Sequence, residues 1–383
     1  LFKALTIIGA RPQIIKAAAI SRAIRNSFSA EMKEVIVHTG QHYDENMSQV
    51  FFEELQIPAP DYNLEAGSGS HGRQTALMLE GTENVLLAEQ PDAVIVYGDT
   101  NSTLAAAVAA SKLNIPVVHV EAGLRSYNRT MPEEINRVVC DHLSTLLFSP
   151  TLAGYNNLIK EGFDRNMLPP FNPDRPKIYH CGDVMYDNSL YFSEIAGRRS
   201  TVLAANNLSS SGYVLATVHR NTNTDDPSRL TALFSTFDKI SRSNGVSFVI
   251  PLHPRTKSLM KENITPSVYE SVTSNTLIKI IPPAPFLDMI ALEKNAMLIM
   301  TDSGGVQKES FFFKKPCIVL RPETEWTELV ENGNNMLADA SEEKILASWQ
   351  VLTTKKDFTF PDYYGDGHAA EFICGKILGH LKK

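Results

Sequence analysis

The most constraining feature of this sequence is an alternation of short β-branched and aliphatic runs with longer stretches of helical periodicity. In the first half the runs are Leu5 to Ile8, Val35 to Thr39, Ala93 to Tyr97, Val117 to Val120 and Leu146 to Ser149. The second half repeats the pattern at Tyr213 to Val218, Phe248 to Leu252, Ile278 to Ile281, Leu298 to Thr301 and Cys317 to Leu320. Strands that alternate in this way with helices predict parallel sheets covered by helices, the α/β class. At 383 residues the chain is longer than one hydrophobic core usually supports, so two domains are expected. The prolines Pro169, Pro170, Pro173 and Pro176 break the periodicity between Phe163 and Lys177. We therefore expect domains at 1–170 and 171–360. A last helical pattern, about His368 to Leu381, follows the turn-rich segment Pro361 to Gly367, so 361–383 is expected to return to the first domain.

Charge and cysteine content narrow the partners. A net charge of -7 without long basic runs argues against nucleic acid or an anionic membrane as a partner. An anionic ligand would need a local basic pocket. Cys140, Cys181, Cys317 and Cys374 are widely spaced and show no metal-like pairing, which fits reduced thiols in a cytoplasm. No apolar stretch approaches the roughly 20 residues of a transmembrane helix, and the amino terminus turns polar at Arg11. A cytoplasmic location is the expectation.

In open parallel sheets ligands bind beyond the carboxyl ends of the strands, so residues just after each run are the candidates for chemistry. The first run leads into Gly9-Ala10-Arg11-Pro12-Gln13-Ile14-Ile15-Lys16, which brings two cations near a strand exit. Acids follow others: Asp99 in Tyr97-Gly98-Asp99-Thr100, Glu121 in Val120-Glu121-Ala122-Gly123-Leu124-Arg125, and Glu133 and Glu134 in Pro132-Glu133-Glu134-Ile135-Asn136-Arg137. Crowded carboxylates raise one another's pKa, as an acid/base catalyst near neutrality requires. A plainer reading has Asp99 capping a helix and Glu133 pairing with Arg137. Glu134 is not explained by that pair.

The second half carries Thr301-Asp302-Ser303-Gly304-Gly305-Val306-Gln307-Lys308-Glu309 between a strand and a helix. Free amides and the helix dipole at such a turn favour a diphosphate, with Glu309 one turn on and able to accept from a ribose. His219 and His253 also follow strands, each beside an arginine, which suits an anionic leaving group. No G-x-G-x-x-G follows a strand and no P-loop occurs, which argues against a bound nicotinamide; no other cofactor and no metal is expected.

Together GARPQIIKAA at the start, TGQHYD (39–44), VYGDTNST (96–103), HVEAGLRS (119–126), MPEEINR (131–137), TDSGGVQKE (301–309) and YGDGHAA (364–370) resemble the non-hydrolysing UDP-N-acetylglucosamine 2-epimerases, essentially end to end. The resemblance implies the glycosyltransferase-B architecture: two facing Rossmann-like domains with parallel sheets and a carboxyl-terminal helix crossing back to the first domain. It places Asp99, Glu121, Glu134 and His219 on catalytic positions. Arg11, Lys16, Arg137, His253, Ser303, Gly304, Gly305 and Glu309 fall on positions lining a UDP-sugar. A homodimer is the expected assembly. Two departures bear on substrate: Thr324-Glu325-Trp326-Thr327-Glu328 replaces T-E-R-P-E, and His219-Arg220-Asn221-Thr222 lacks the usual glutamate. With GARPQ in place of the commoner GTRPE, these resemble the branch acting on UDP-2,3-diacetamido-2,3-dideoxyglucuronate. A glycosyltransferase of the same architecture, a hydrolysing epimerase and a non-catalytic UDP-sugar sensor are the alternatives.

Overall fold

The structure, a computed structural model, describes residues 1–40, 52 and 54–382. Residues 41–44 of the TGQHYD motif lie outside the described residues. The chain divides into two compact units, Leu1–Asn188 with Asp362–Lys383, and Ser189–Pro361. Residues 171–188 thus belong with the first unit.

Among the described residues the first unit holds a seven-stranded sheet. Its strands are β1 (Phe2–Ile8), β2 (Met32–His38), β3 (Tyr62–Asn63), β4 (Ala93–Tyr97), β5 (Val117–Val120), β6 (Leu146–Ser149) and β7 (Lys177–His180). They lie in the order β3-β2-β1-β4-β5-β6-β7 and every pairing is parallel. The five runs read from the sequence become β1, β2, β4, β5 and β6. Apart from Lys3 in β1 and Lys33 and Glu34 in β2 they are buried on both faces, so their side chains are mostly apolar. The edge strands are different: β3 has two residues, and β7 alternates Lys177, Ile178, Tyr179 and His180. The proline-rich segment before β7 is a loop inside this unit, and Lys177 of β7 pairs in register with Leu146 of β6.

The second unit has six strands, also all parallel. They are β8 (Tyr213–Thr217), β9 (Ser247–Pro251), β10 (Ile278–Ile281), β11 (Leu298–Thr301), β12 (Cys317–Val319) and β13 (Asn335–Leu337), in the order β10-β9-β8-β11-β12-β13. Its core packs Val214, Ala216, Phe248 and Ile250 of the sheet against Leu233, Phe234 and Phe237 of the helix Pro227–Asn244. In the first unit the helix Asn101–Lys112 does this with alanines: Ala106, Ala107, Ala109 and Ala110 are fully buried and let it lie close to neighbouring elements.

The carboxyl-terminal helix Ala369–Leu381 packs in the first unit beside the helix Arg11–Ala23 and buries Ile373 and Ile377. Asp187 caps its start by accepting from Ala369 N at 3.2 Å and Ala370 N at 2.7 Å. No helix among the described residues is long and apolar enough to cross a membrane.

In each sheet the strand order reverses once, between β1 and β4 and between β8 and β11. Successive crossovers there leave in opposite directions and open a crevice at the strand exits. The G-x-G-x-x-G string Gly67 to Gly72 lies elsewhere. The expectation that none follows a strand is corrected, since β3 precedes it and the helix His71–Glu89 follows. It sits by the sheet edge, however, and an added Cβ at Gly69 or Gly72 would meet nothing within 4 Å. These are not glycines enforced by close packing, as a dinucleotide fingerprint needs.

Gly123, just after β5, is enforced. Its φ is +82°, and an added Cβ would lie 2.3 Å from the carbonyl oxygen of Gly154. Gly123→Ala should therefore cost roughly 2–4 kcal/mol, combining left-handed strain with a backbone clash. Urea denaturation would check this; an unchanged midpoint would contradict the packing described.

Candidate active site

At the first reversal, Gln13 ties the two central strand exits together. Its Oε1 accepts from Gly9 N at 2.9 Å and Ala10 N at 3.1 Å, and its Nε2 donates to the Tyr97 carbonyl at 3.0 Å. This fixes the chain after β1 against the chain after β4, and with it the first turn of the helix that carries Lys16. Lys16 is largely buried, and its Nζ lies 2.7 Å from Glu121 Oε1. Gly98 leaves room for the pair: an added Cβ would stand 3.2 Å from Lys16 Nζ and 3.4 Å from Glu121 Oε1.

Asp99 does not cap the following helix. Thr100 does, its Oγ1 accepting from Thr103 N. The Asp99 carboxylate instead meets Arg137 Nη2 at 2.6 Å, while Asn136 Nδ2 donates to the Asp99 carbonyl at 2.9 Å. Burial raises the Asp99 carboxyl above the ordinary carboxylate range; Arg137 and Lys16 oppose the shift, and Glu121 and Glu133 add to it. The expected Glu133–Arg137 side-chain pair gives way to this one, because Arg137 Nε points to the Glu133 carbonyl instead.

Glu121 has φ +75°, a left-handed conformation uncommon for a residue with a side chain. Its amide and that of Ala122 both donate to the Phe148 carbonyl at 3.0 Å. Glu134 is buried, and both oxygens are engaged. Oε2 accepts from Ser126 N at 2.9 Å and Ser126 Oγ at 3.0 Å, and Oε1 from Tyr127 N at 3.0 Å. Arg137 Nη1 lies 3.5 Å from Glu134 Oε2. Glu134 thus anchors the loop after β5. Arg11 is exposed at the start of its helix.

In the second unit, His219 leaves β8 and Asp302 leaves β11. His219 Nδ1 is 2.9 Å from Asp302 Oδ1, and the imidazole is about half exposed, so Nε2 is the nitrogen left for a ligand. Asp302 is fully buried, and its carboxylate also accepts from His219 N, Arg220 N and Asn223 Nδ2. Burial alone would raise this carboxyl. The hydrogen bonds and charge of His219 outweigh it and hold Asp302 below its ordinary range. The TDSGGVQKE motif alone gives Asp302 no role, though the strand-exit rule that selects Asp99 selects it equally.

The turn Ser303-Gly304-Gly305 opens the helix Gly304–Phe312, with Ser303 Oγ accepting from Val306 N. An added Cβ on Gly304 would lie 2.3 Å from Glu325 Oε1, whereas Gly305 is open apart from Ser303 Oγ at 3.8 Å. Trp326 is buried beside this turn; its Nε1 donates to the Gly304 carbonyl at 2.9 Å, and Lys308 Nζ stands 4.3 Å over its ring. Glu309 lies on the same helix, and the fully buried Glu293 is driven well above the carboxylate range first by burial and then by Glu309. His253 caps the helix Pro254–Asn263 and is exposed. The charge of Arg255 is engaged, with Nη2 2.6 Å from Asp225 Oδ1. Among the described residues no three His, Cys, Asp or Glu side chains are placed to hold a metal ion.

The family model for UDP-N-acetylglucosamine 2-epimerase matches residues 25–378. The UDP-2,3-diacetamido-2,3-dideoxy-D-glucuronate 2-epimerase of Pseudomonas aeruginosa is 47% identical over 97% of this chain and 98% of its own. The UDP-N-acetylglucosamine 2-epimerase of Methanocaldococcus jannaschii is 44% identical over 98% of each chain. The crystal structure of a Methanocaldococcus jannaschii UDP-GlcNAc 2-epimerase in complex with UDP-GlcNAc and UDP superposes with a TM-score of 0.82 at 43% identity, covering 99% of this chain and 100% of that one. The chain belongs to the UDP-N-acetylglucosamine 2-epimerase family, is an isomerase, and has the family's glycosyltransferase-B-like fold.

The Asp302 contacts have a pH signature. Because folding lowers its pKa, the stability Asp302 contributes is present above the ordinary carboxylate value and is lost as pH falls through the folded one. Asp302→Asn should therefore be most destabilised relative to the native chain near pH 7, with the gap closing below about pH 4. A gap that stays constant across an acid titration of stability would show that the carboxylate is not ionised against His219.

Proposed function

We propose that this family member inverts carbon 2 of a UDP-2-acetamido sugar by eliminating UDP to a 2-acetamidoglycal and adding it back. The observation that carries the reading is the cluster at the first reversal: Asp99 and Glu121 at adjacent strand exits, each held against a cation. Carbon 2 of such a sugar has no neighbouring carbonyl, so its proton is not acidic. Breaking the anomeric C–O bond places an electron-poor, oxocarbenium-like centre beside it. The bonding pair leaves with UDP, a carboxylate takes the carbon-2 proton, and the C–H electrons form the C1=C2 bond of the glycal. Return of a proton to the opposite face and re-addition of UDP complete the inversion.

Asp99, with its raised pKa, and Glu121 are our acid/base pair. Glu134 contributes negative charge and a fixed loop, because both its oxygens are already engaged. The Gly304 and Gly305 amides, with Ser303 Oγ and His253, would hold the departing diphosphate, since the Ser303 amide already donates to Thr301 Oγ1 at 2.9 Å. Glu309 would hold the ribose. His219, aligned by Asp302, presents Nε2 to the leaving group, and Arg11, Lys16 and Arg137 supply positive charge. For substrate we favour UDP-2,3-diacetamido-2,3-dideoxyglucuronate, supported by the 47% identity to the Pseudomonas aeruginosa enzyme of that name and by Trp326 where the N-acetylglucosamine enzymes have arginine. The reading carries with it a cytoplasmic homodimer supplying sugar donors for surface polysaccharide.

Incubation with the UDP-sugar alone, followed by NMR, tests the reading. The epimeric UDP-sugar should accumulate; free sugar would indicate a hydrolysing enzyme, and no change until an acceptor is added would indicate a glycosyltransferase. The diacetamido glucuronate should be turned over much faster than UDP-N-acetylglucosamine, and comparable kcat/KM would remove the proposed substrate branch. Asp99→Asn should lose on the order of 10²-fold or more in kcat while still binding UDP. Gly305→Val, placed where the protein leaves space, should weaken UDP affinity in calorimetry without lowering the melting temperature.

A further inference from the structure

A buried charge network lies beneath the acids of the first unit. Its hub is Asp141, fully buried near the end of the helix Pro132–Leu143. Asp141 Oδ1 is 2.7 Å from His119 Nδ1. Its Oδ2 accepts from Gly123 N at 3.1 Å and lies 2.7 Å from Arg125 Nη2. Arg125 continues outward to Glu161 through Nε–Oε1 at 2.7 Å and Nη2–Oε2 at 2.6 Å. At the inner end His119 Nε2 is 2.8 Å from the Gly98 carbonyl. A carbonyl only accepts, so Nε2 must donate, and the short contact to Asp141 places a second proton between Nδ1 and Oδ1.

The connections share one target. His119 and Gly123 flank Glu121 by two residues on either side, so one carboxylate pins both ends of the segment that holds Glu121 in its left-handed conformation. Gly98 precedes Asp99, so the same network fixes the exits of β4 and β5 against each other. Asp141 also follows Glu134 and Arg137 at helical spacings of seven and four, which put all three on one face of their helix. Tying that face to the β5 exit sets where Arg137 meets Asp99.

We infer that Asp141 is a positioning residue for the epimerase reaction, holding Asp99 and Glu121 in mutual register through His119, Gly123 and Arg125. This rests on the epimerase reading above. A carboxylate that served only to stabilise the fold would be dispensable to turnover in whatever fraction of the variant stays folded. A positioning group is not: errors near 1 Å at reacting groups cost rate rather than ground-state binding.

The test compares Asp141→Asn with the native enzyme on the UDP-sugar that the native enzyme turns over. It records kcat, KM, UDP affinity by calorimetry and the melting temperature. The amide keeps the shape and removes the charge. kcat per folded molecule should fall at least tenfold, with KM and UDP affinity within about twofold. Unchanged kcat in folded protein, or an equal loss of UDP affinity, would overturn the inference. Should Asp141→Asn not fold, Glu161→Gln at the partly exposed end of the network takes its place. It should lower kcat several-fold at constant KM, and native kcat there would equally overturn the inference. Absence of turnover by the native enzyme would instead remove the epimerase reading, and this inference with it.

Discussion

The reversal of strand order at β1/β4 and again at β8/β11 is the constraint from which the rest of the structure follows. Parallel strands need crossovers of one hand, so a sheet can be built outward in both directions only by starting twice from its middle. The two central exits are then not covered by a crossover, and backbone amides and polar side chains can gather there. Gln13 in the first unit and Asp302 in the second close these exits in the same manner. Each is a buried polar side chain that joins the chain after one central strand to the chain after the other.

Once acids and cations are gathered at such a point, their protonation depends on their partners. Asp99 is pushed toward its neutral form by burial and held back by Arg137, whereas Glu121 sits directly on the Lys16 ammonium. Two similar carboxyl groups a short distance apart thus acquire different environments, which is how acid and base roles separate at one pH. Asp302 is the opposite case: fully buried, yet satisfied by so many donors that it stays ionised and orients His219.

The fold was legible in the sequence where burial is two-sided. β1, β4, β5, β6, β8 and β11 read as apolar runs because neither face meets water. The edge strands β3, β7 and β13 escaped notice because they are short and partly polar, and only pairing with a neighbour makes them strands. The candidate site was marked in the sequence by position: Glu121 comes immediately after β5, and Asp99 and His219 come after one intervening residue beyond the ends of β4 and β8. What pairs with what was not. Arg137 bonding Asp99 rather than the Glu133 side chain depends on how the helix Pro132–Leu143 lies, and spacing along one helix carries no information on that. Asp141 and Asn223 were invisible for a related reason: each lies inside a helix, where nothing local distinguishes a buried hub from a solvated polar residue.

The central claim is that inversion proceeds through loss of the carbon-2 proton to a carboxylate and its replacement from the other side. Epimerisation in D2O measures this most directly. If the account holds, each inverted molecule carries deuterium at carbon 2, and small amounts of free UDP and the 2-acetamidoglycal appear alongside. Inversion with the original hydrogen still on carbon 2 would contradict it.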